Sequence, residues 1–121
     1  MIHLTNMNTP TPITDFFDYK NTHNEEGLLS IFAPDATVFD TGEDKELHGI
    51  DEIKEWIQKS ISGLNLHTEI VNIRNEADTW IIKTIVSGDF KASPAEFEYF
   101  IELKKDKISL LRTEFRGSVK K

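Results

Sequence analysis

The spacing of apolar residues changes once along this chain, at Gly63, and that change limits the fold more than any other feature. Before Gly63 apolar residues recur at helical spacing; after it they alternate, the mark of half-buried strands. Alternation is cleanest from Ala95 to Lys104, where Phe97, Tyr99, Ile101 and Leu103 share one face and Glu96, Glu98, Phe100 and Glu102 the other. Leu66–Arg74, Trp80–Phe90 and Lys107–Arg116 carry the same signal. Asn75–Ala77, Lys91–Pro94 and Lys105–Asp106 supply the turns between them. The last strand has two readings. Ile108 and Leu110 suit one face, whereas Leu111, Thr113 and Phe115 form the other. We take the second set as inward-facing, which a bulge after Ile108 allows and which leaves Arg112 and Glu114 outside.

The part before Gly63 reads as three helices and a short strand. Thr11 as N-cap and Pro12 at the first helical position open helix one, with Ile13, Phe16 and Phe17 on one face and a polar run from Lys20 to Asn24. Asn24 caps a short second helix that carries Leu28, Leu29, Ile31 and Phe32, and Pro34 ends it. Ala36–Asp40 is a strand, and Thr41–Glu46 a polar turn. Gly49 opens a third helix with Ile50, Ile53, Trp56, Ile57 and Ile61 on its apolar side, stopped at Gly63.

Helices first and long antiparallel strands afterwards define an α+β chain. At 121 residues it holds one domain, residues 12–117, behind a lead of residues 1–11 expected to be mobile. A twisted, curved antiparallel sheet wraps as a cone around the N-terminal helices, an α+β barrel. Its apolar interior stays open at one end and suits a small apolar molecule.

Charge and composition exclude several classes. The net charge of −7 speaks against nucleic-acid and anionic-membrane partners, which need a basic surface. With no Cys there is no disulfide and no thiolate chemistry. No stretch reaches membrane-spanning length, and the N-terminal residues lack a basic start followed by an apolar run, so a cytoplasmic protein is expected. His3, His23, His48 and His67 show no paired ligand spacing, so no metal site is expected; His48, beside Gly49, reads as a turn or cap residue.

Asp40 is the residue with chemical promise. It ends its strand among apolar neighbours and precedes Thr41 and Gly42. A poorly solvated carboxylate is a stronger base towards a carbon acid beside a carbonyl. Equally, an Asp in this setting can simply accept turn amides.

These stretches carry a family resemblance. FAPDATVFD (Phe32 to Asp40) and HGIDEIKEW (His48 to Trp56) lead it, supported by SGDF (Ser87 to Phe90), FEYFIELKKDKI (Phe97 to Ile108) and the closing strand. Together they resemble the nuclear transport factor 2-like superfamily, which includes SnoaL-like polyketide cyclases and ketosteroid isomerases, from about Pro12 to Phe115. The resemblance to ketosteroid isomerase implies that its general base falls on Asp40. It puts the isomerase's oxyanion tyrosine on Phe16, which has no hydroxyl, and its second donor near Tyr99. It implies a small-molecule pocket protein, with Asp40 as base and Tyr99 as donor in a cyclase or isomerase that needs no cofactor and acts on an apolar carbonyl compound. The other reading is a non-catalytic binding or dimerisation domain of the same fold. Phe16, Tyr19, Phe32, Val38, Trp56, Trp80, Ile82, Phe97, Thr113 and Phe115 are assigned to the pocket wall. The outer sheet face mixes Ile81, Ile85 and Phe100 with Lys83, Glu98, Glu102, Arg112 and Glu114, and a homodimer through it is expected.

Overall fold

A computed structural model of the chain describes residues 9–119. The expected N-terminal lead lies mostly outside these residues, as does His3; Thr11 is already helical. Helix α1 (Thr11–Asn21) starts one residue earlier than expected, with Pro10 at the N-cap, where its carbonyl accepts the Ile13 N–H at 3.0 Å. Asn24 caps α2 (Glu25–Ser30) through its side-chain oxygen, which accepts the Gly27 N–H at 2.9 Å.

Pro34 does not end α2. The chain is already extended at Phe32, and β1 (Phe32–Asp40) contains the proline. Pro34 is tolerated because the β1 ladder is irregular between Phe32 and Thr37, where no N–H from that position is needed. The expected polar turn is half strand: Thr41–Asp44 turns, and β2 (Lys45–His48) pairs back on β1 with Asp40 opposite Lys45. Helix α3 (Gly49–Trp56) continues as a π-helical segment, Ile57–Ser62. Gly49 takes φ +85°, a conformation that favours glycine.

Four long strands follow: β3 (His67–Glu76), β4 (Thr79–Ser87), β5 (Ala95–Lys104) and β6 (Lys107–Ser118). The six strands form one sheet in the order β2-β1-β6-β5-β4-β3. All neighbours are antiparallel except β1 and β6, which run parallel. The bulge anticipated after Ile108 is present: Leu103 faces Ile108, and Glu102 faces Leu110, so Ser109 is the extra residue. It turns Leu111 and Thr113 inward.

The helices pack on the inner face of the sheet. Ile13, Phe16 and Phe17 of α1 and Ile53 of α3 meet Val38, Ile82, Ile101 and Leu111 in one buried cluster. Rings pack edge to face through it, with Phe16–Phe17 at 4.9 Å and Phe17–Tyr99 at 5.2 Å. On the outer face Glu98 takes Arg116 at 2.7 Å and Arg74 at 3.8 Å, and Lys83 meets Glu96 at 3.8 Å. Ile81 is buried among these charges. Among the described residues no helix is long and apolar enough to cross a membrane.

Candidate functional site

Sheet register sets the site. Asp40 on β1 lies opposite Thr113 on β6, and Thr113 lies opposite Tyr99 on β5. Residues directly opposite share a face, so all three side chains point inward. With strands about 4.8 Å apart, the backbones of Asp40 and Tyr99 stand about 10 Å apart with Thr113 between them.

Asp40 is 8 % exposed and held by three donors. The Trp56 indole N–H, brought over by α3, donates to Oδ2 at 2.9 Å. The Thr113 hydroxyl and the Glu43 backbone N–H each donate to Oδ1 at 3.3 Å. The carboxylate therefore does both things its sequence context allowed: it accepts a turn amide and it faces the cavity.

That cavity measures about 430 Å³. Of the residues assigned to its wall, Trp56, Phe97, Thr113 and Phe115 line it together with Asp40 and Tyr99. Phe16, Tyr19, Phe32, Val38, Trp80 and Ile82 do not. Phe16, Phe32, Val38 and Ile82 are consumed by the core, and Trp80 packs half-buried against it. The Tyr19 ring lies on Gly27, where an added Cβ would sit 2.7 Å from it. The wall is completed by residues not assigned to it from the sequence. These include Ile61, Leu64, Leu66, Val86, Phe90 and Ala92, which are apolar, and Lys20, Glu43 and Ser60, which are not.

Lys20 is the principal omission. It is only 2 % exposed, donates to the Thr68 hydroxyl, and holds its ammonium 5.9 Å from the centre of the Tyr99 ring. Asn21, the next residue, brackets the Thr68 backbone through its side-chain amide at 2.8 and 2.7 Å, which pins the end of α1 to β3. Among the described residues no carboxylate lies within ion-pair distance of Lys20. Burial lowers its pKa to about 7. A signal was available: Lys20 falls seven residues after Ile13, four after Phe16 and three after Phe17, on the apolar stripe of its helix.

Burial pushes the Tyr99 phenol well above its usual range; the Asp40 charge adds to this, and a hydrogen bond with Thr68 opposes it. Tyr99 thus stays a neutral donor at ordinary pH. His48 holds the N-cap position of α3 without a side-chain capping bond, and its ring contacts Glu46 at 2.8 Å, away from the cavity wall.

Comparisons with known proteins agree with this architecture. A family model described as a SnoaL-like domain matches residues 13–111. Among solved structures, a candidate polyketide cyclase from Sinorhizobium meliloti superimposes with a TM-score of 0.82 at 26% identity, covering 89% of this chain and 97% of its own. A protein with a ketosteroid isomerase-like fold from Catenulispora acidiphila, in complex with trimethylamine, gives 0.76 at 20% identity, covering 92% and 88%. An NTF2-like protein from Cytophaga hutchinsonii gives 0.73 at 14% identity, covering 89% and 92%. No curated protein matches the chain.

Proposed function

The chain belongs to the SnoaL-like domain family, and on that premise we propose that it works as a cofactor-independent cyclase or isomerase on an apolar carbonyl compound. The row Asp40–Thr113–Tyr99 in the wall of a largely apolar cavity carries this reading. Asp40 takes a proton from the carbon beside the carbonyl. Tyr99 donates a hydrogen bond to the carbonyl oxygen as negative charge develops there. The spacing of about 10 Å between their backbones leaves room for those two substrate atoms between the side chains. Trp56 and Thr113 fix the carboxylate in one orientation. Base and donor suffice for both enolisation and aldol closure. Phe16 supplies no hydroxyl, so Tyr99 works without a tyrosine from α1.

One observation favours a second reading, a binding domain without chemistry: both oxygens of Asp40 already accept protein donors. The two readings separate on Asp40→Asn. A panel of apolar cyclic ketones in deuterated buffer, followed by NMR, reports exchange of the protons beside the carbonyl. An enzyme loses about 10²–10⁴-fold in exchange rate on this substitution, while ketone affinity stays the same. Equal exchange by both proteins assigns the cavity to binding alone.

We also infer a homodimer through the outer sheet face. Ile85 and Phe100 are only half-buried there, amid Arg–Glu pairs that a two-fold axis would bring against their own kind. Light scattering that returns a monomer at micromolar concentration removes this part of the reading.

A further inference from the structure

Lys20 has no task in the chemistry above, yet it lines the same cavity as Asp40 and Tyr99. Its stem runs from the buried face of α1, and its ammonium finds a hydroxyl where a buried charge ordinarily finds a carboxylate. The Tyr99 ring lies beside it, 5.9 Å from the ammonium, so amine, hydroxyl and aromatic ring stand together at the wall. An anionic ligand would bring its charge towards Asp40 and Glu43, which line the same space. A neutral carbonyl compound would not.

We propose that Lys20 is an imine-forming residue, binding aldehydes or ketones covalently and reversibly in this cavity. The inference rests on the cavity accepting a carbonyl compound, as proposed above. In the neutral amine the nitrogen lone pair attacks the carbonyl carbon and a C–N bond forms. The carbonyl π electrons move to oxygen, which takes one proton shed by nitrogen, with the Thr68 hydroxyl beside the amine as the relay. The carbinolamine nitrogen then expels the hydroxyl group. That group takes the second N–H proton and leaves as water. One amine and one carbonyl thus give one imine and one water, with nothing oxidised or reduced. Burial without a carboxylate partner makes the neutral amine available near neutrality, because the charged form is poorly solvated there. Once protonated, the imine draws electrons from the adjacent carbon more strongly than the carbonyl did, and Asp40 is the base that shares the cavity.

The test is reductive trapping at pH 7 with 2-naphthaldehyde and cyanoborohydride, read by intact mass and peptide mapping. The expected result is a single adduct on the Lys20 peptide. It is lost when excess 2-naphthalenemethanol, which cannot form an imine, occupies the cavity, and it is absent from Lys20→Gln. Mapping on the native sequence decides the question even if the variant fails to fold. No adduct, or adducts spread over the other ten lysines, overturns the proposal. Binding of the alcohol, followed by Trp56 fluorescence, separates the two ideas. If the alcohol binds and no adduct forms on Lys20, the imine is refuted and the carbonyl-sized pocket stands. If neither probe binds, both fall.

Discussion

Lys20→Met keeps the length and apolar stem of the side chain and removes only the ammonium, so it isolates what burying that charge costs. The folded-state pKa is about 7, against 10.5 for an ordinary lysine. Between these values the unfolded chain binds a proton that the folded chain does not, so the stability of the native sequence rises with pH. The full slope is about 1.4 kcal/mol per pH unit. It is shallower near pH 7, where folded Lys20 is still partly protonated. From pH 7 to 9 the gain comes to about 2 kcal/mol, or about 8 °C in Tm for a chain of 121 residues. The variant lacks this gain. At pH 7 it is relieved of about 4 kcal/mol of burial cost. Leaving the Thr68 hydroxyl without its donor returns about 1–3 kcal/mol of that. Urea denaturation of both proteins at pH 7, 8 and 9 gives the comparison. Groups common to both chains, including Asp40, Glu43 and Tyr99 around the same cavity, cancel in the difference. The advantage of the variant must shrink by about 2 kcal/mol across that range. A difference that stays flat would mean that Lys20 is not the buried, titrating amine described above.

Further substitutions test the surrounding frame. Trp56→Phe removes the indole donor from buried Asp40 and should lower stability by about 1–3 kcal/mol in a denaturant melt; an unchanged midpoint would mean that the bond at 2.9 Å is not formed. Asn24→Ala strips the cap from α2 and should cost about 1 kcal/mol by the same assay. Gly88→Ala would place a Cβ 2.7 Å from the Leu64 carbonyl oxygen in the segment beside the cavity. It should lower Tm and cost roughly 1–3 kcal/mol, and a neutral result would show that this approach relaxes freely.

The strands were legible where one face is buried and the other charged. β5 has the residues and limits its alternation indicates, and the Lys105–Asp106 turn follows from it. The bulge at Ser109 was legible too, because the apolar residues of β6 change face at that point. β2 was not, since Lys45–His48 has an exposed polar pattern with no period; it is a strand only because β1 offers it an edge. Pro34 read as a helix stop because local sterics say so, and only the irregular β1–β6 register makes room for it in a strand. At the site, Asp40 announced itself through its neighbours. Lys20 did not, because a charged residue opening a polar run reads as solvated unless its helical position is weighed above its chemistry. The cavity wall was misplaced for a related reason. Apolar residues on the inner face supply both core and wall, and alternation does not say how far along the cone the packing stops.

The position of β6 bears on how the protein is made. The strand latest in the chain is not at an edge but between β1 and β5, and its Thr113 joins Asp40 to Tyr99. During synthesis the early strand and the β3–β5 meander emerge as separate pieces with no hydrogen-bonded seam between them. The sheet is welded, and the site created, only when β6 leaves the ribosome. Nascent chains arrested before Thr113 should therefore lack a closed cavity, whatever local structure they have gained.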